Sequence, residues 1–248
     1  MTLLLEEKDG ILTLDFNSPP VNILRAETLR DMIGILARDS PAKVAVLKGS
    51  GKMFCAGLDV KDHLPDKVEE MIRLFSELIV AFFEFPGLVV SVVHGGALGG
   101  GCEIALCSDL LLAEKGADFG QPEIKLGVFP PAACALYPVL FPSKISNHII
   151  FSGESVKAEE LERLGIVNRT FERDVLFDKA HQFLLPLTKL SSAAVRLAKK
   201  ASLVNFPQLK ERLETVNRIY LDELMKTEDA IEGLTAFLEK RKPTWKNR

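Results

Sequence analysis

Cysteine is scarce in this chain, four among 248 residues, and the four (Cys55, Cys102, Cys107, Cys134) form no C-x-x-C pair. That excludes a dense disulfide framework, fits a reducing cytoplasm and weakens a structural zinc reading. An excess of one charge is missing too. The 31 Lys and Arg stand against 34 Asp and Glu, a formal net charge of -3, so nothing points to nucleic acid as a partner. No apolar run reaches the roughly 18 residues of a membrane span, and the start, Met1 to Lys8, lacks the basic and long apolar segments of a signal peptide. Neither a P-loop nor a G-x-S-x-G elbow is present. His63, His94, His148 and His181 lack metal-ligand spacing, and none pairs with a cysteine nucleophile. No metal or redox cofactor is indicated. What remains is 47% hydrophobic and 26% charged, the composition of a soluble globular protein, expected in the cytoplasm.

Over the first two thirds, short β-rich runs alternate with helical spacing. Ile11 to Phe16 alternates at period two. Ala26 to Arg38 puts Leu29, Met32, Ile33 and Leu36 on one helical face. Val44 to Leu47, Leu88 to Val93 and Leu110 to Ala113 are apolar runs of the buried parallel-strand type, and Lys67 to Glu84 is helical again. This βαβα order predicts an α/β fold with a parallel sheet and crossover helices. Further on, Ala158 to Leu164 reads as a helix capped at Gly165, and Asp174 to Leu185 as a helix that Pro186 ends. Ser191 to Val204, Leu209 to Met225 and Asp229 to Glu239 read as helices before a basic tail. No fixed-period repeat or flexible linker appears. The division expected is an α/β core over 1–190 and a helical extension over 191–248, packed on itself or on a neighbour and serving oligomerisation and cover of the site.

The densest chemical signal is the run Gly95 to Glu103, with five glycines at 95, 96, 99, 100 and 101, directly after a strand. Glycines there allow a sharp turn and close approach of backbone to a ligand. A helix starting near Gly100 would aim unpaired N–H groups at that point, where they can stabilise negative charge on a carbonyl oxygen. The same glycines would serve equally for tight helix–sheet packing. A second loop, Met53 to Lys61, follows the Val44 strand. Because carboxyl ends of parallel strands share one face, its Leu58 N–H can reach the same place; an ordinary βα loop is the plainer alternative. Two acids stand out: Glu103, in the first turn after the glycines, and Glu123 in Phe119-Gly120-Gln121-Pro122-Glu123-Ile124. One strand and a turn separate them, so both can meet in one cleft, although each alone also fits a helix end or a solvated loop.

Taken together, Pro20 to Leu24, Phe54 to Asp59, Ala97 to Glu103, Phe119 to Gly127 and Ala230 to Pro243 resemble the crotonase (enoyl-CoA hydratase/isomerase) superfamily along almost the whole chain. The resemblance implies a spiral of ββα units with a C-terminal helical trimerisation region, assembly as a homotrimer or hexamer, and an acyl-CoA thioester as ligand, with coenzyme A part of the substrate and no separate cofactor. Carried over by position, the N–H groups of Leu58 and Gly100 form the oxyanion hole. Ala56, Gly57, Asp59, Val60 and Lys61 line the coenzyme A path, and Arg25 approaches a phosphate. Glu103 and Glu123 are the proton-handling pair of a hydratase. One departure matters: where hydratases for linear substrates have a Gly-rich stretch, this chain has Val128-Phe129-Pro130-Pro131. That run makes Phe129 and Pro130 a stiffer acyl wall and is similar to cyclohexa-1,5-diene-1-carbonyl-CoA hydratases. The expectation is a hydro-lyase for an enoyl-CoA or cyclic dienoyl-CoA. A Δ3-Δ2 isomerase or a decarboxylase of the same superfamily, or an idle acyl-CoA-binding protein, are the alternatives.

Overall fold

The structure is a computed structural model; it describes every residue except Met1, Asp39 and Pro207, and leaves out the side chain of Asn205. A hairpin opens it: β1 (Thr2–Lys8) turns at Asp9-Gly10 into β2 (Ile11–Asn17). The chain then makes one move four times. A long strand enters the main sheet, a short strand crosses into a second layer, and a helix packs behind. β2, β3 (Ile23–Leu24) and α1 (Ala26–Leu36) are the first unit; β4 (Val44–Gly49), β5 (Gly57–Leu58) and α2 (Val68–Glu84) are the second. β6 (Leu88–Val93), β7 (Gly96–Leu98) and α3 (Gly100–Leu106) follow, then β8 (Leu110–Glu114), β9 (Asp118–Gly120) and α4 (Pro131–Leu140). After α5 (Ser143–Ser152) come β10 (Ser155–Lys157), α6 (Ala158–Arg163), β11 (Arg169–Phe171) and α7 (Leu176–Thr188). The last helices are α8 (Ser192–Ser202), α9 (Leu209–Arg218) and α10 (Glu228–Leu238).

The main sheet has the order β1-β2-β4-β6-β8-β11, parallel from β2 onward. The short strands pair as β10-β9-β7 and β3-β5, and a bridge between Cys55 and Ala97 joins these two small sheets. This is the α/β spiral of ββα units that the resemblance implied. Its long strands begin at Ile11, Val44, Leu88 and Leu110, at unequal intervals, so the structural repeat leaves no fixed period in the sequence. Central strands are buried on both faces, as Val44, Ala45, Leu47, Val89, Val90 and Val93 show, which is why they read as continuous apolar runs. The apolar face of α2 (Leu74, Phe75, Leu78, Ile79, Phe82) closes the largest core.

Three expectations need correction. Pro186 does not end α7, which continues to Thr188. Proline near a helix end forfeits one hydrogen bond, while Leu176, Ala180 and Leu184 stay buried on one face and hold the helix. The stretch from Leu209 to Met225 is not one helix: α9 stops at Arg218, residues Ile219–Glu223 form a π-helical turn, and Leu224–Lys226 a 3-10 turn. The glycine runs, read as loops, hold the short strands β5 and β7. The closing helices pack back on the core, with Leu213 of α9 in the main cluster and Ala230 and Leu234 of α10 against Met71 and Ile72 of α2. Among the described residues no helix is long and apolar enough to cross a membrane.

Candidate active site

Two loops at the carboxyl ends of β4 and β6 are zipped together by backbone bonds: Phe54 N donates to His94 O at 2.8 Å and Leu98 N to Cys55 O at 3.0 Å. The approach leaves no room for side chains. A Cβ on Gly57 would lie 2.9 Å from Leu98 O and 3.3 Å from Gly100 N, and Gly57 has a φ of +102°, which L side chains rarely adopt. Leu58 and Gly100 are therefore neighbours: a Cβ on Gly100 would meet Leu58 Cγ at 3.0 Å. As the first residue of α3, Gly100 presents an N–H that no carbonyl of its helix can accept.

Glu103 follows in the first turn of α3 and is only 1% exposed. Glu123 stands in the 3-10 turn Pro122–Leu126 after β9. Both line one small chamber with Leu58, His63, Met71, Ile72, Phe75, Ser76, Pro131, Ala132 and Asn217. The spacing left open whether the acids meet; the fold brings them together. A Cβ on Gly99 would lie 2.6 Å from Glu123 Oε1, so the glycine run and the second acid are also in direct apposition.

The two acids are held differently. Glu103 Oε1 accepts from Ala133 N at 2.7 Å, at the start of α4. Burial pushes its carboxyl up to about 7, against the lowering effect of the Ala133 and Ala132 N–H groups. Glu123 is raised well above its ordinary value too, first through burial and then through the charge on Glu103. Two carboxylates in one dry chamber cannot both ionise cheaply, so the pair keeps a proton near neutrality. The Ala133 and Ala132 N–H groups favour the anion on Glu103.

Gln121, fully buried, bears on that proton. With its amide nitrogen toward Glu123 it donates to the carboxyl oxygens at 3.1 and 3.3 Å and to Gly99 O at 3.3 Å, while its oxygen accepts from Tyr137 Oη at 2.8 Å. The opposite orientation keeps only the bond from its nitrogen to Tyr137 Oη and turns its oxygen toward the Glu123 carboxyl and Gly99 O, so the first orientation is the satisfied one.

The remaining residues singled out from the sequence divide. Asp59 and Lys61 line a separate cleft of about 480 Å³ with Arg25, Arg30, Asp62, Lys67 and Glu70. Asp59 holds the Arg25 guanidinium at 3.1 Å. Ala56 is fixed by its N–H to Val21 O at 2.9 Å, and Val60 packs beside the cluster around Tyr220. Phe129 meets the Tyr220 ring edge-on at 5.1 Å. Pro130 precedes α4, whose first residue is Pro131, a position where a missing N–H costs nothing. The Pro-Pro step therefore sets the helix start that bonds Glu103, a role the sequence reading missed although Pro at a helix start was the signal.

His63 lacks ligand spacing in the sequence, yet it lines the chamber. Its Nδ1 lies 3.2 Å from Asp59 O. A carbonyl only accepts, so Nδ1 carries the hydrogen and Nε2 is an acceptor; burial lowers its pKa and keeps it neutral. Cys134 is no nucleophile, because burial pushes its thiol up to about 12.

A paired acid set beside glycine-borne amides, on a spiral of ββα units, is the architecture of one enzyme class. The enoyl-CoA hydratase/isomerase family model matches residues 6–248, and the chain belongs to that family as an enzyme of the hydro-lyase type. It is 35% identical over 247 residues to the cyclohexa-1,5-dienecarbonyl-CoA hydratase of Thauera aromatica, covering 98% of this chain and 95% of that protein. It is 32% identical over 257 residues to the short-chain-enoyl-CoA hydratase of Clostridium acetobutylicum, covering 99% and 98%. Among solved structures, an enoyl-CoA hydratase from Mycobacterium avium subsp. paratuberculosis superposes with a TM-score of 0.89 at 25% identity, covering 99% of this chain and 98% of that one.

Proposed function

We propose that this hydratase adds water across a C=C bond conjugated to the thioester of a cyclic dienoyl-CoA, with Glu103 and Glu123 handling the protons. The observation that carries the mechanism is the burial of both acids in one chamber with raised pKa values. Glu103, favoured as the anion by α4, takes a proton from water as its oxygen bonds to the β-carbon. The displaced electron pair moves onto the thioester oxygen, which the N–H groups of Leu58 and Gly100 hold. Neutral Glu123 delivers its proton to the α-carbon as the enolate collapses. One water is consumed, and the two acids have exchanged protonation states, which a shared proton allows at little cost. Donors aimed at the developing oxyanion favour this path because they bind the enolate more strongly than the ground-state carbonyl.

The cyclic substrate is supported by the likeness to the Thauera aromatica protein and by the run Val128-Phe129-Pro130, which leads directly into the chamber residues Pro131 and Ala132 and whose Phe129 is braced by Tyr220. The cleft of Arg25, Lys61 and Lys67, which shares Met71 with the chamber, suits the phosphates of coenzyme A. We include in this reading a cytoplasmic protein with no cofactor beyond the coenzyme A of its substrate, assembled as a trimer or hexamer through exposed apolar residues such as Val204, Leu197 and Phe237. Parallel assays of crotonyl-CoA and cyclohexa-1,5-diene-1-carbonyl-CoA hydration in chelator-treated buffer, with light scattering for mass, test it. Turnover of the cyclic dienoyl thioester at a kcat/KM at least tenfold above that of crotonyl-CoA is expected; equal or reversed preference ends the cyclic assignment.

A further inference from the structure

The hydroxyl of Tyr220 has no hydrogen-bond partner among the described residues, although the side chain is completely buried. A hydroxyl stripped of water and left unpaired weakens a fold, so its presence calls for a use. Its backbone setting is unusual as well. Tyr220 lies in the single π-helical turn Ile219–Glu223 that interrupts the end of α9, a device that re-aims a side chain and is frequent at functional sites. The ring packs edge-on against Phe129, the expected acyl wall, and sits among Val128, Met71 and Ile72.

Met71 and Ile72 belong to the wall of the glutamate chamber too, so the buried cluster that holds Tyr220 is continuous with that wall. The chamber as it stands has a volume of about 10 Å³, room for one water and no more. An acyl group enters only by displacing wall residues, and Met71, unbranched and flexible, is the one most easily moved. Burial, with the negative charge of the glutamate pair, holds the phenol in its protonated form, so it is a hydrogen-bond donor throughout the working range.

We propose that Tyr220 Oη donates a hydrogen bond to the oxygen that passes between water and the acyl group, as the third contact on that oxygen beside Glu103 and Glu123. The assignment rests on the hydratase reading and adds to it a residue that the loop motifs do not contain. It also gives the acyl wall a chemical preference: the site recognises the hydroxylated acyl-CoA, in which this oxygen is present, over the saturated acyl-CoA of the same carbon skeleton.

Tyr220→Phe removes the hydroxyl and nothing else. We expect kcat/KM for hydration to fall by about 10- to 100-fold, with the same factor in dehydration because the equilibrium constant is fixed. The inhibition constant of the saturated acyl-CoA should stay within about twofold, and Tm should be unchanged or higher, since an unpaired buried hydroxyl has been deleted. A kcat/KM within about twofold of wild type overturns the proposal. So does a fall in Tm of several degrees, which would mean that the hydroxyl is bonded within the fold. If the wild-type protein hydrates neither crotonyl-CoA nor the cyclic dienoyl-CoA, the hydratase reading itself fails and this inference goes with it; wild-type turnover left intact by Tyr220→Phe removes this inference alone.

Discussion

The chamber around Glu103 and Glu123 and the cleft around Arg25 and Lys61 share Met71 as a lining residue, yet they are built on opposite physics. In the chamber two carboxyl groups share a buried space and one proton, each is raised in pKa, and backbone N–H groups from α4 reach one of them. In the cleft, opposite charges pair on a wet surface: Arg25 with Asp59, Arg30 with Glu70, and Lys67 with Asp62. Low dielectric makes every placement in the chamber costly and every interaction strong, whereas solvent and salt mute the cleft. Chemistry belongs in the first and reversible capture of a charged carrier in the second. If that contrast holds, perturbations should grade steeply from one to the other.

The largest effect is expected at Glu123. Glu123→Gln removes the transferable proton while keeping the shape, and kcat should fall by about 10²–10⁴-fold. KM should stay within a few-fold and Tm should hold, because a buried carboxyl has been replaced by a neutral isostere. Stopped-flow or steady-state hydration assays measure it; a variant within tenfold of wild type would break the contrast at once.

Next comes Gly100→Val. The added Cβ would fall 3.0 Å from Leu58 Cγ and 3.3 Å from Phe75 Cε2, and its methyl groups would press further on both. Backbone donors cannot be deleted by side-chain substitution, but they can be displaced. A loss of about 10²–10³-fold in kcat is expected if the amides of Leu58 and Gly100 hold the thioester oxygen. An infrared shift of the bound thioester carbonyl, present in wild type and lost in the variant, separates loss of the oxyanion contact from a general packing defect.

A third consequence concerns stability. Glu103 is raised from its ordinary value of 4.5 to about 7, so the folded state binds more protons than the unfolded chain between those values. With more protons on the native side, stability falls as pH rises through that window and is fully present only below it. The size is on the order of 3 kcal/mol, at about 1.4 kcal/mol per unit. Glu103→Gln should flatten this dependence and gain stability over wild type at pH 8 relative to pH 5, because the amide oxygen can still accept from Ala133 N. Denaturant unfolding at the two pH values is the measurement; equal stability differences at both would show that the pair is solvated.

Much of this was legible beforehand, and the gaps have physical causes. The long strands could be read because burial on both faces makes them unbroken apolar runs. β5 and β7 could not, since strands of two and three glycine-containing residues show no period. Glu103 and Glu123 were marked by their place after glycines and after Gln-Pro, but their meeting is a tertiary fact: β8 and β9 lie between them, and only the spiral returns the second acid to the first. His63 and Tyr220 escaped because their importance comes from what surrounds them. One is aimed by a carbonyl of its own 3-10 turn, the other by a π turn that no helical periodicity announces.

The smallest effect is expected in the cleft, at Arg25. Its guanidinium is about half exposed and already paired with Asp59 at 3.1 Å. An exposed pair of this kind contributes little to stability, so Arg25→Ala should leave Tm unchanged. If the guanidinium also meets a coenzyme A phosphate, KM should rise by roughly two- to fivefold at low salt with kcat untouched, and the difference should shrink toward nothing near 0.5 M salt, where the screening length is only a few ångströms. Lys61→Ala should behave alike, and the double variant should be close to the product of the two, since each contacts solvent more than the other. A KM effect that survives high salt would mean that Arg25 acts through the shape of the Leu58 loop. The boundary between the charged cleft and the dry chamber would then lie nearer the surface than the burial of Glu103 and Glu123 suggests.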